Sequence, residues 1–294
     1  MDIEKAKTII TYVVNTTKKR WQQYDEKWEE IDEVFLARGY EQGGFEAWKF
    51  AEYLKRENIF SIEKLGLILV KYKGDIKYNR MFAGSLISPF YLDLKNGFYG
   101  DEGKKFYKCV SNFHGKAGAW FWSKLWQLLV CCNYLKNNYN ASFSCFLRKK
   151  FAEFFKVINI QDSDFLSMDE GLWKQFKKVK KPWKELYGIG ENVFDFIVGD
   201  IVEAKFVKNS FKLDSANLYF LKVSGIDKLL NSNLSRENVI NFLLRLNIPY
   251  SLREINKGIY TYCSETESGN FGFCRNKHKC SYCGINNICE KSID

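Results

Sequence analysis

Four cysteines, Cys274, Cys280, Cys283 and Cys289, stand near the C-terminus with the spacing C-x5-C-x2-C-x5-C. Four thiolates gathered in so short a span can all reach one small inorganic centre, and a segment too short to bury its own core gains its order from that bond. A single C-x2-C pair flanked by two lone cysteines suits a compact wrap around a cubane [4Fe-4S] cluster. A zinc ribbon would hold two C-x2-C pairs apart, so zinc is the less favoured alternative. A disulfide pair is disfavoured, because MDIEKAKTII has no secretory-signal pattern and a reducing compartment keeps thiols free. The remaining cysteines, Cys109, Cys131, Cys132, Cys145 and Cys263, have apolar or aromatic neighbours and read as small buried hydrophobes. Cys263 is the rival ligand. His278 could replace a thiolate in a zinc site, but its default is the surface.

A second chemical signal is KPWKELYGIGENVFDFIVGDIV, residues 181–202. Pro182 suits the first position of a short helix ending at Leu186 and Tyr187. Gly188, Ile189 and Gly190 permit a tight turn, and Phe194, Ile197, Val198, Ile201 and Val202 mark one face of a following helix. This reads as a helix-hairpin-helix. Two glycines let the backbone approach a phosphate, and the amides opening the second helix point at it with the favourable end of the helix dipole. The contact would fix register without reading bases. An ordinary corner of a helical core gives the same letters. Lys177, Lys178 and Lys181 lie just upstream in a lysine-rich run and would extend the footprint along a phosphate backbone; the plain alternative is a solvated helix face.

Asp214 stands where a loop gives way to a helix. Its ordinary role is an N-cap bonding the amides of Ala216 or Asn217. Asp195, Asp200 and Asp227 are equally eligible as bare carboxylates.

In sequence order these parts resemble the helix-hairpin-helix DNA glycosylase superfamily, specifically its endonuclease III-like and adenine-glycosylase-like iron–sulfur branch. The resemblance rests on Leu186-Tyr187-Gly188-Ile189-Gly190, Leu213-Asp214-Ser215 and the four cysteines, and it covers residues 181–294. It implies that Asp214 is the catalytic aspartate, that Gly188, Ile189 and Gly190 bind phosphate with Asn192 beside them, and that the cysteines ligate the cluster. It further implies that a flipped nucleotide enters a pocket between a helical bundle and the cluster domain. The cluster would hold the basic loop of Arg275, Lys277 and Lys279 against phosphates. This cysteine knot is one residue shorter between its first two cysteines than the family's commonest spacing, and the loop before Asp214 is slightly long. Bifunctional members carry a lysine two residues after the second hairpin glycine, whose amine attacks the sugar. Here that position is Asn192, which implies a monofunctional enzyme releasing a base through attack by water. The alternative function is a non-catalytic DNA-binding protein that keeps hairpin and cluster. An iron–sulfur electron carrier or radical enzyme is remote, since the C-x3-C-x2-C signature is absent.

These residues need a scaffold, and the composition supplies one. With 294 residues, 46% hydrophobic and 17% aromatic, the chain can bury a large core. A net charge of +10 implies an anionic partner, of which nucleic acid is the commonest for a basic protein. The most apolar stretch, residues 117–135, is interrupted by Lys124 and Gln127, so no membrane span is expected. The setting expected is intracellular, cytoplasmic or nucleoid-associated, for a monomer on double-stranded DNA. Only three prolines and a helical rhythm predict an all-α fold. Helices are expected over residues 3–37, 48–69, 117–135, 143–157, 193–202, 216–223 and 236–246; residues 71–116 carry no assignable motif. The expected division is an N-terminal helical region, 1–116, partly packing with the cluster domain, a bundle with the hairpin, 117–225, and a cluster domain, 226–294.

Overall fold

The computed structural model describes residues 1–25, 30–39, 47–70, 89–113, 120–201, 211–230, 234–263, 272–275 and 277–291. Among the described residues every regular element is helical. No helix there is long and apolar enough to cross a membrane. The chain forms two compact units, one made of Met1–Lys27 with Phe206–Asp294, the other of Trp28–Lys205. This differs from a division into consecutive segments at 116/117 and 225/226. The first helix carries an apolar stripe that finds its partner far away in sequence, and hydrophobic burial takes no account of chain order.

In the first unit α1 (Ile3–Asp25) lies along α14 (Leu252–Cys263). Ala6, Ile9, Ile10, Val13 and Val14 of α1 and Leu252, Ile255, Ile259 and Tyr262 of α14 share one core. Each large side chain so buried contributes roughly 1.5–3 kcal/mol. Gly258 permits the close approach, because a Cβ there would lie 3.1 Å from the Val14 Cα. Two shorter helices, α12 (Ser215–Ser224) and α13 (Arg236–Arg245), complete the core.

The second unit holds α2 (Ile31–Arg38), α3 (Ala47–Arg56), α4 (Ile62–Val70), α5 (Pro89–Lys95), α6 (Gly100–Phe113), α7 (Trp120–Asn138), α8 (Phe143–Phe155), α9 (Asp162–Leu166), α10 (Glu170–Lys180) and α11 (Glu191–Gly199). Aromatic stacking fills its centre: Phe35 on Phe143 at 4.6 Å, Phe151 on Phe176 at 3.9 Å and Trp173 on Phe194 at 6.0 Å between ring centres. Asp32 on α2 supplies a long-range cap. Its Oδ1 accepts from the Phe143 and Ser144 amides at 2.6 and 3.0 Å, satisfying donors that the start of α8 leaves unpaired. Burial pushes its carboxyl above the ordinary value, and the Ser144, Ser142 and Phe143 donors offset part of that rise.

Three expectations about elements are corrected. Residues 3–37 form two helices in different units, not one. Residues 48–69 also form two, α3 and α4. Asn58 sits in the left-handed region at φ 57°, Ile59 N–H closes back on the Leu54 carbonyl at 2.9 Å, and the Ser61 hydroxyl accepts from the Lys64 amide at 3.2 Å to start the next helix. The stretch left without a motif contains α5 and α6, while residues 71–88 and 114–119 lie outside the described residues. The α14 helix was not expected at all.

The Asp32 cap yields a stability test. Asp32→Ala should lower unfolding free energy by about 1–2 kcal/mol, read as a shifted urea midpoint with unchanged slope.

Candidate functional site

The four cysteines border a common cavity. Cys274 is buried and Cys280, Cys283 and Cys289 are half-buried, and all four line one small apolar cavity of about 20 Å³ together with Phe220, Val223, Phe273 and Ile285. Neither Cys263 nor His278 lines that cavity; Cys263 is buried at the end of α14 and His278 is exposed. Among the described residues no group of three or more His, Cys, Asp or Glu side chains is placed to hold a metal ion. Four cysteine sulfurs around one cavity are of the donor type that either an iron–sulfur cluster or a zinc ion takes. Burial, followed by the neighbouring sulfurs, raises the Cys280 thiol above its ordinary value; burial does the same at Cys289. A metal taken up here must displace those protons.

Two tyrosines fix the loop. The Tyr262 hydroxyl lies 2.9 Å from Cys283 Sγ, and the Tyr12 hydroxyl accepts from the Gly284 amide at 3.2 Å. Burial, then the Cys283 sulfur, pushes the Tyr262 phenol far above the usual range. The side chains of Arg275 and Lys277 lie outside the described residues, and Lys279 is half-buried.

Asp214 is half-buried at the N-cap of α12. Its Oδ1 accepts from the Asn217 backbone amide at 2.9 Å and from Asn217 Nδ2 at 2.8 Å. Among the described residues Oδ2 accepts no bond. The strand of chain entering Asp214 is pinned: Arg236 Nε donates to the Phe211 carbonyl at 2.8 Å and Asn256 Nδ2 to the Lys212 carbonyl at 2.7 Å. Phe220 and Val223 of the same helix line the cysteine cavity, so α12 carries Asp214 at one end and walls the cavity toward the other. Of the rival aspartates, Asp195 is buried against Lys177 at 2.7 Å and Asp200 against Arg38 at 2.8 Å. Asp227 keeps one buried carboxylate oxygen without a partner among the described residues.

The glycine turn belongs to the second unit. Pro182 opens a 3-10 helix, Pro182–Glu185, and Gly188 takes φ 75°. A side chain at Gly188 is doubly refused, since its Cβ would also lie 2.4 Å from the Gln127 carboxamide. Ile189 is buried and anchors the turn. Gly190 caps α11 with no side-chain bond, and a Cβ there would meet nothing within 4 Å. Gly188, Gly190 and Asn192 are all exposed where α11 begins, and the first amides of a helix have no partner within it. Glu185 holds the turn to α7 and α8, accepting from Tyr134 at 2.7 Å and Tyr139 at 3.0 Å and pairing with Lys150 at 2.7 Å.

The lysines divide. Lys178 and Lys181 are exposed, whereas Lys177 is turned inward, with its ammonium 2.7 and 2.8 Å from the Asp195 oxygens and 3.5 Å from Glu191. A buried ion pair of this kind cannot reach a phosphate without leaving Asp195 uncompensated. Lys177 thus departs from the phosphate-facing position expected for it. The sequence reading also passed over Lys124, whose Nζ bonds Gln127 Oε1 at 2.9 Å beside the turn; partial burial lowers the pKa of this amine. It named the Asn217 amide as a cap partner but not the Asn217 side chain, whose Nδ2 also donates to Asp214 Oδ1. No signal in the sequence marks Tyr12 or Tyr262. No family model, no curated protein and no solved structure matches the chain.

Two outcomes test this arrangement. Lys177→Ala should destabilise the protein by about 3–5 kcal/mol by stranding a buried carboxylate, while Lys178→Ala and Lys181→Ala stay within about 0.5 kcal/mol, all measured by urea denaturation. Glu185 is raised by partial burial, but Lys150, Tyr134 and Tyr139 together hold its carboxyl below the usual value. A depressed folded-state pKa gives stability present above the unfolded value and lost as pH falls through the folded one. Glu185→Gln should accordingly flatten the fall in urea midpoint between neutral pH and about pH 3.

Proposed function

We propose that the chain is a monofunctional DNA glycosylase that releases a damaged, mispaired or modified base from duplex DNA by hydrolysing its N-glycosidic bond. The observation that carries this reading is the fate of the aspartates: Asp195 and Asp200 are consumed in buried ion pairs, while half-buried Asp214 is fixed through one oxygen and the other accepts no bond among the described residues. A carboxylate held in this way can face the sugar of an extruded nucleotide, stabilise its developing positive charge, and orient or deprotonate the attacking water. Asn192 offers an amide where a nucleophilic amine would be needed, so the abasic product stays uncut. The exposed glycine turn with Lys178 and Lys181 supports a helix-hairpin-helix contact to phosphates that is indifferent to sequence.

Cys274, Cys280, Cys283 and Cys289 would hold a [4Fe-4S] cluster, with zinc the lesser alternative. When bound, the cluster ties the C-terminal loop into the first unit and takes no part in hydrolysis. In this reading the fold is a helix-hairpin-helix glycosylase-like bundle with a C-terminal cluster domain, working as an intracellular monomer. One observation favours a second reading, a non-catalytic DNA-binding protein: an N-cap role already accounts for Asp214 Oδ1.

Protein purified without oxygen should be brown, with about four irons per chain. Asp214→Asn should keep duplex binding and lose base release by about two or more orders of magnitude on a lesion panel. Borohydride should trap no covalent adduct with the wild type. Wild-type protein that binds duplexes but releases no base from any lesion would favour the non-catalytic reading.

A further inference from the structure

We propose that the Tyr262 hydroxyl donates a hydrogen bond to the cluster-ligating sulfur of Cys283 and thereby raises the reduction potential of the centre and prolongs its lifetime. The inference rests on the reading of the four cysteines as cluster ligands.

Tyr262 Oη and Cys283 Sγ are 2.9 Å apart, and in the free chain either atom could donate. Ligation removes that choice. A cysteine bound to iron is a thiolate with no proton, so the phenol becomes the donor. The ring has no freedom to turn away. Tyr262 is 0% exposed, stacks on Phe273 at 4.7 Å between ring centres, and meets Tyr12 edge-on at 6.3 Å. Phe273 directly precedes Cys274, and Tyr12 reaches over to the amide of Gly284, which directly follows Cys283. The phenol is therefore clamped between two side chains that themselves border ligands.

Reduction places added negative charge partly on the sulfurs. A hydrogen bond to a sulfur stabilises the more anionic state, and burial away from water strengthens that effect. A hydroxyl with no exposed surface cannot be replaced by solvent when it is removed. Tyr262→Phe thus deletes the bond alone while keeping the ring that packs.

The test uses the full chain, reconstituted with iron and sulfide without oxygen and followed by iron content, voltammetry and iron release to a chelator. Wild type and Tyr262→Phe should carry equal iron. The variant's potential should move to more negative values, by about the 59 mV that corresponds to a tenfold change in a one-electron equilibrium, and its iron should be released severalfold faster. Tyr12→Phe breaks a bond to backbone rather than sulfur and should leave the potential unchanged. Should Tyr262→Phe fail to fold, 3-fluorotyrosine at position 262, a stronger donor, should shift the potential the other way. Equal iron with an unmoved potential in Tyr262→Phe overturns the inference, as do equal shifts in Tyr262→Phe and Tyr12→Phe. Wild-type protein that takes up one zinc and no iron removes the cluster reading itself, and the inference with it.

Discussion

The first unit depends on the rigidity of one short helix. Its ten residues, Ser215–Ser224, span about 15 Å. Asp214 caps the start, and Phe220 and Val223 wall the cysteine cavity farther along. A helix of this length does not bend appreciably, so anything that orders the cysteine loop also bears on where Asp214 stands. The chain entering the helix is held with equal care, by side chains of α13 and α14 bonded to the Phe211 and Lys212 carbonyls. At its other end the Glu290 amide donates to the Ser224 carbonyl at 3.3 Å, so the helix cannot slide or rotate without breaking bonds at both ends.

Burial sorts the charged groups of the second unit. Lys177–Asp195 and Arg38–Asp200 are removed from solvent and act as fixed struts, because separating either pair would leave a charge in a low-dielectric interior. Lys178 and Lys181 remain outside and keep their charge available. The glycine turn is framed by the same logic. Gln127 fills the space a side chain at Gly188 would need, while the approach to Gly190 stays open. Access at this turn follows from where neighbouring side chains are packed, and composition alone cannot reveal it.

How much of this could be read in the chain varies by feature. The cysteine spacing, the Asp214 cap and the Gly188-Ile189-Gly190 turn are local, with their chemistry set by residues within a few positions, and their letters carry it. Helical rhythm located α7, α8, α12 and α13, since a buried stripe repeats with the helical period. It could not locate breaks. The end of α3 at Asn58 depends on one residue adopting the left-handed region, which leaves the apolar rhythm on both sides intact. The α14 helix went unrecognised although Leu252, Ile255, Ile259 and Tyr262 carry the pattern, because glycine, tyrosine and charged residues dilute it.

The sequence by itself determined the helical class, the basic balance and the residue types able to ligate a metal or cap a helix, because these follow from short-range spacing and composition. Only the tertiary structure decided that α1 shares a core with the cysteine loop and that Lys177 points inward to Asp195. It alone set the Tyr262 hydroxyl against Cys283. Each of these pairings joins residues distant along the chain or chooses among chemically equivalent neighbours. Such choices are made by packing and desolvation in the folded interior, which no local run of letters encodes.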